Sequence, residues 1–131
     1  MKFRRMIVKM AVALMVIGVG AVGAVVPASP AVANCEQKVT VSKPYKLHPS
    51  STDIYARFSI EMSGCGTRYW TENSYLDGPR STGRTVTYQG DRYYSVVLRV
   101  SSCRTGTYRA SLHIIGDGFD LFREASRYIR C

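Results

Sequence analysis

From Arg92 to Val100, and again from Thr107 to Ile115, apolar and polar residues alternate with a period of two. Tyr94, Val96, Leu98 and Val100 share one face, against Ser95, Arg99 and Ser101 on the other. Tyr108, Ala110, Leu112 and Ile114 repeat the pattern against Thr107, Arg109, Ser111 and His113. Such spacing buries one side of an extended strand and wets the other, as in a half-covered antiparallel sheet. Arg84 to Gln89 reads as a further strand, and Gly90-Asp91 follows it with residue types suited to a two-residue hairpin turn. The expectation over residues 84–115 is strand, tight turn, strand, short loop, strand.

The four cysteines fall at Cys35, Cys65, Cys103 and Cys131. Four thiols allow three pairings. Cys35 opens a strand over residues 37–43, and Cys65 follows a second over residues 53–63, where Ile54, Ala56, Phe58, Ile60 and Met62 face inward. In antiparallel neighbours the start of one strand lies beside the end of the other. Cys103 and Cys131 flank the last strands in the same way. The geometry therefore predicts Cys35–Cys65 and Cys103–Cys131. A zinc site does not fit, because no two cysteines are close in sequence and only His48 and His113 are available.

Two disulfides require an oxidising compartment, and residues 1–33 supply an address. Lys2, Arg4, Arg5 and Lys9 form a basic head, Met10 to Val26 an apolar middle, and Ala31-Val32-Ala33 a small-residue exit. Together they describe a secretory signal peptide cleaved before Asn34. The apolar run carries glycine at positions 18, 20 and 23 and falls short of the about 20 residues that span a bilayer. Asn34 before Cys35 disfavours a lipoprotein, and Arg4-Arg5 resembles a twin-arginine signal with Phe3 in place of the usual Ser or Thr. The expected product is one secreted, extracellular domain, residues 34–131, with no stable membrane insertion.

That domain carries fourteen basic and nine acidic residues, with no run of three Lys or Arg. A dispersed surplus of this size reads as a solvated surface and excludes a nucleic-acid stripe. Short strands separated by Gly, Pro and Asp turns predict an all-β, two-sheet antiparallel sandwich of about seven strands, immunoglobulin-like in architecture. Thr67 to Glu72 is a possible third strand, residues 73–82 the longest loop, residues 120–123 a short helical turn, and residues 125–130 the final strand. Thr105-Gly106-Thr107-Tyr108-Arg109-Ala110 resembles the strand before an immunoglobulin domain's last one. The buried Trp and the intersheet cysteine spacing of that family are not found in the sequence.

Catalysis finds little support. His113 is expected outward on a strand and His48 in a loop, neither beside a nucleophile motif, and oxidised cysteines cannot act as thiols. Asp117, Asp120 and Glu124 could suit calcium, but Gly116-Asp117-Gly118 is explained by a hairpin turn. No catalytic residue, metal or cofactor is therefore assigned. The distinctive feature is aromatic and basic: Arg68, Tyr69, Trp70, Tyr75 and Tyr93, interspersed with Arg80, Arg84, Tyr88, Arg92 and Tyr94. Tyr, Trp and Arg dominate protein–protein hot spots, and aromatic rings also stack on sugars. The expected contact patch is Arg68, Tyr69, Trp70, Tyr75 and Tyr93; the alternative places Trp70 and half of the tyrosines in the core.

Gly116-Asp117-Gly118-Phe119, followed by Arg127-Tyr128-Ile129-Arg130-Cys131, resembles the end of the small actinomycete α-amylase inhibitors of the tendamistat type. The resemblance covers roughly the last thirty residues. It implies an exported two-disulfide β-sandwich with cysteines paired in order, acting as an inhibitor through a Trp-Arg-Tyr triplet. Arg68, Tyr69 and Trp70 supply those residue types in another order, after the first cysteine pair instead of inside it. The expected function is a non-enzymatic secreted binding protein, an inhibitor of a secreted hydrolase; the alternatives are a cell-envelope or carbohydrate-binding module and an antibacterial competition protein. The expected partner is another secreted protein or a cell-surface polysaccharide.

Overall fold

The computed structural model describes residues 35–131; the expected signal peptide lies outside them. Seven strands follow in order: β1 (Glu36–Val41), β2 (Ile54–Ser63), β3 (Tyr69–Asp77), β4 (Thr82–Gln89), β5 (Arg92–Val100), β6 (Gly106–Gly116) and β7 (Phe119–Ile129). They form two antiparallel sheets, ordered β1-β2-β5 and β4-β3-β6-β7. The arrangement is an immunoglobulin-like sandwich with one change from the constant-type order: β4 pairs with β3 and not with β5.

Alternation sets the core. Ile54, Ala56, Phe58, Ile60 and Met62 from β2, and Val96, Leu98 and Val100 from β5, meet Tyr108, Ala110, Leu112 and Ile114 from β6. Each large apolar side chain removed from water contributes about 1.5–3 kcal/mol. β1, β4 and β7 lie at sheet edges and bury only part of their inward faces.

Gly90-Asp91 makes the expected tight turn, with Gly90 at φ 75°, but it does not close a hairpin. It carries the chain from one sheet to the other. A flat two-residue hairpin would pair Tyr88 with Tyr93 and Val86 with Ser95, putting the even positions of β4 on the same face as the odd positions of β5. The apolar positions are even on both strands, so that register would expose Val96 and Leu98. Crossing layers lets both even sets face inward. The crossing is pinned on every side: Gly90 N–H donates to the Arg68 carbonyl at 2.9 Å. The Trp70 indole N–H donates to the Gly90 carbonyl at 2.8 Å, and Cys65 N–H donates to Asp91 Oδ1 at 2.8 Å.

Trp70 is thus a core residue, 1% exposed, packed against Tyr88 with ring centroids 4.8 Å apart. The buried tryptophan of an immunoglobulin-like third strand is present after all. Tyr108, at the start of the sixth strand, donates its hydroxyl to the Arg104 carbonyl at 2.9 Å and accepts from Arg104 N–H at 3.3 Å. This bond back to the preceding loop is the tyrosine corner of such sandwiches. Gly78 lies against the Tyr108 ring, where a Cβ would stand 2.6 Å from it.

The disulfides are Cys35–Cys65 and Cys103–Cys131, as the strand geometry predicts. Two expected irregular stretches are strand instead. Residues 73–77 continue β3, because Ser74 and Leu76 are buried inward while Asn73 and Tyr75 face out. Residues 120–123 belong to β7, which pairs with β6 from Gly116↔Phe119 through Gly106↔Ile129, leaving Asp117-Gly118 as the turn. Trp70→Ala should lower unfolding free energy by about 3–5 kcal/mol, the usual cost of emptying an aromatic core site, measurable by urea denaturation of the oxidised protein.

Candidate binding face

Two sets of polar and aromatic side chains stand out, one inside the sandwich and one on it. The inner set closes the open side between β4 and β5. Glu72 on β3 is 0% exposed, yet it is fully engaged. Its Oε1 accepts from the Ser74 hydroxyl at 2.7 Å, and its Oε2 accepts from Tyr94 at 2.6 Å and from the Arg84 guanidinium at 3.1 Å. Arg84 also donates to the Tyr88 hydroxyl at 2.7 Å, and the Arg92 guanidinium lies 5.1 Å from the Tyr88 ring centroid. Among the described residues, Arg84 Nε is the one buried side-chain polar atom without a partner. Burial raises the Tyr94 phenol above the ordinary tyrosine range, and its bond to Glu72 and the nearness of Tyr88 raise it further. These groups are bonded to one another and face inward, an arrangement that fastens the two layers.

The outer set lies on the solvent face of β4-β3-β6-β7. Because Trp70, Glu72, Ser74 and Leu76 point inward, the odd residues of β3 point out. Register then aligns Thr87, Thr71, Ile115 and Asp120 in one row, Thr85, Asn73, His113 and Phe122 in the next, and Gly83, Tyr75, Ser111 and Glu124 in a third. Tyr69 lies beyond one end and Tyr128 beyond the other. Of the eight exposed large hydrophobic side chains among the described residues, five are on this face: Tyr69, Tyr75, Ile115, Phe122 and Tyr128, at 40–62% exposure. Strand spacings put Tyr69 and Tyr75 roughly 20 Å apart along β3 and make the face roughly 14 Å wide from β4 to β7.

The rings are held and separated by hydrogen-bonding groups. Tyr75 lies over Gly83, where an added Cβ would collide with the ring; the glycine lets the ring lie along the sheet. Thr71 and Thr87 hydroxyls bond at 3.0 Å, and Thr85 donates to Asn73 Oδ1 at 2.8 Å. His113 Nε2 and Asp120 Oδ1 bond at 2.6 Å, with Phe122 edge-on to the imidazole at 5.9 Å. Among the described residues no serine or threonine hydroxyl bonds that histidine. Charge on the face is sparse and mostly paired, Arg109 with Glu124 at 3.8 Å.

The five-residue patch expected from the sequence is therefore not one surface. Tyr69 and Tyr75 are on the outer face of the four-stranded sheet. Tyr93, 83% exposed, projects from β5 on the other sheet. Arg68 is half-buried in the turn before β3, where its backbone bonds Cys65 and Gly90, and Trp70 is core. Ile115, Phe122 and Tyr128 lie on the outer face as well; the parity of Ile114 and Ile129 as inward positions is the sequence signal that marks them as outward.

No protein-family model matches this chain, and no curated protein does. Among solved structures, two crystal structures of β-glucosidase from Listeria innocua, in complex with isofagomine and with glucose, align with a TM-score of 0.42 and 12% identity. The alignments cover 70% and 74% of this chain but only 16% and 17% of those enzymes, so the chain corresponds to a small part of their length.

The inner set yields two expectations. Glu72→Ala strips partners from Tyr94, Ser74 and Arg84 together. Arg84, with its side chain 34% exposed, keeps some hydration, so the loss should fall near the lower end of the about 3–5 kcal/mol typical of a broken buried pair. For Tyr94, the unfolded chain releases the phenolic proton at about pH 10, while the folded protein retains it. Its stabilising contribution is complete below that pH and declines above it, by up to about 1.4 kcal/mol per pH unit. Tyr94→Phe should flatten the decline in denaturant titrations taken between about pH 9 and 11.

Proposed function

We propose that this is a secreted, non-enzymatic binding protein that holds an extended cell-surface polysaccharide on the outer face of its four-stranded sheet. The observation that carries the reading is the gathering of Tyr69, Tyr75, Ile115, Phe122 and Tyr128 on that one face. Single exposed apolar residues are ordinary, whereas a shared apolar surface rimmed by polar groups marks an interaction site. The spaces between the rings are filled by Thr71, Asn73, Thr85 and Thr87, neutral groups that donate and accept. Flat rings set among uncharged hydroxyls and amides match a sugar chain, with its apolar C–H faces and its own hydroxyls. Rings fixed on strands lose little freedom on binding. The signal-like residues 1–33 and the two disulfides support an extracellular setting.

The inhibitor reading draws on the same exposed rings and on the resemblance of roughly the last thirty residues to the amylase inhibitors. It no longer has Trp70 as a plug, and the connections at 78–81, 90–91 and 117–118 are too short to project far from the sheet. Tyr69→Ala and Tyr75→Ala together should weaken retention on neutral polysaccharide by about tenfold or more, since ring stacking contributes on the order of 1 kcal/mol per residue. The thermal midpoint should move little, and affinity electrophoresis in polysaccharide-containing gels reads the loss. Tight capture of a secreted hydrolase by the same face, with no polysaccharide retained, would transfer the assignment to inhibition.

A further inference from the structure

A second surface lies where β7 ends. The chain between β1 and β2 folds against the last residues of β7 and leaves a groove of about 430 Å³. Its walls include Tyr45, Lys46 and His48 on one side and Arg127, Tyr128 and Arg130 on the other, and no carboxylate lines it. Among the described residues, neither Arg127, Arg130 nor Lys46 is within ion-pair distance of an acidic side chain. Most arginines among the described residues have no carboxylate partner, only Arg84, Arg99 and Arg109 being paired; what sets Lys46, Arg127 and Arg130 apart is that they line one concave site together.

The groove is firmly built. Pro44 is buried, and Tyr45 makes reciprocal backbone hydrogen bonds with Tyr55 at 2.9 Å each way, its ring stacked on that of Tyr55 at 5.9 Å. Ser51 N–H closes the turn onto the His48 carbonyl at 2.9 Å. Lys46 donates to the carbonyls of Pro49 at 2.6 Å and Arg130 at 3.3 Å, joining the two walls, and Cys131 anchors the far wall through its disulfide. Lys46 thus retains a donor beyond these two bonds, and the guanidinium groups of Arg127 and Arg130 present forked donors suited to carboxylate or phosphate oxygens.

Tyr128 belongs both to this groove and to the aromatic face. A chain lying across the face and past Tyr128 enters the groove directly. We propose that the groove binds the anionic groups, carboxylate or phosphate, of an acidic polysaccharide, with Arg127 and Arg130 as the principal ligands and Lys46 and His48 beside them. The choice of a polysaccharide rests on the reading of the aromatic face above; the choice of an anion rests on the groove alone.

The test compares retention of the purified protein on polygalacturonate and on polyglycerol phosphate with retention on neutral glucans, at low and at physiological salt. Acidic chains should bind more tightly than neutral ones, and the difference should shrink as salt rises. Arg127→Gln with Arg130→Gln should lose roughly tenfold on the acidic chains while keeping neutral retention and the thermal midpoint. Arg57→Gln with Arg80→Gln, exposed arginines elsewhere, should change neither. Equal losses in both double variants would overturn the proposal in favour of diffuse charge. Poly-glutamate bound as tightly, with the same dependence on Arg127 and Arg130, would overturn the saccharide assignment in favour of an acidic peptide. Neutral chains retained with acidic chains no tighter would overturn the groove alone. Acidic chains held through Arg127 and Arg130, with the Tyr69 and Tyr75 variants binding normally, would overturn the face alone.

Discussion

The parity of the apolar positions on either side of Gly90 is the constraint on which this architecture depends. β4 and β5 both place their inward residues at even numbers, and two residues of turn between them forbid a flat pairing that buries both sets. The chain resolves the conflict by changing sheets. That step moves β4 beside β3, makes one sheet four strands wide, and creates the broad outer face on which Tyr69, Tyr75, Ile115, Phe122 and Tyr128 are displayed. The bonds of Gly90 to Arg68 and Trp70, and of Asp91 to Cys65, hold the crossing at its tightest point.

The crossing leaves a side of the sandwich to be closed, and the closure is polar. Glu72 faces inward from the centre of β3 and would be costly there without partners. Ser74, Arg84 and Tyr94 provide them, from the same strand, from the neighbouring strand and from the opposite sheet. Trp70, Tyr88 and Tyr94 pack over the cluster with centroids 4.8–6.5 Å apart. One acid thereby ties β3, β4 and β5 together across both layers.

Those facts explain which parts of the fold were legible in the sequence. β2, β5 and β6 carry strict alternation with large apolar residues, and the cysteines flank them at strand ends, so both strands and pairing could be read. β3 was hidden beyond Glu72 because its inward residues include Glu72 and Ser74, whose burial makes sense only once Arg84 and Tyr94 arrive from elsewhere. β7 was partly hidden because Arg123 and Arg127 occupy inward register positions at an open edge, where water still reaches them. The core position of Trp70 is not legible locally, because its neighbours Arg68 and Tyr69 are polar or exposed and its anchor, the Gly90 carbonyl, is twenty residues away. The outer face needed the identity of the four strands that share a sheet, which alternation within one strand does not supply.

The two sulfur bridges have a further consequence for resistance to proteolysis. One encloses residues 35–65 and the other residues 103–131, so a nick inside either loop leaves the chain in one covalent piece. Residues 66–102, holding β3, β4 and β5, are spanned by no bridge, and a single cut there would free two halves to drift apart. That vulnerable middle is joined by short connections, residues 78–81 and 90–91, with Gly78 pressed on Tyr108 and Gly90 fastened to Trp70 and Arg68. Where cross-links give no insurance, tight turns deny an enzyme the slack backbone it needs.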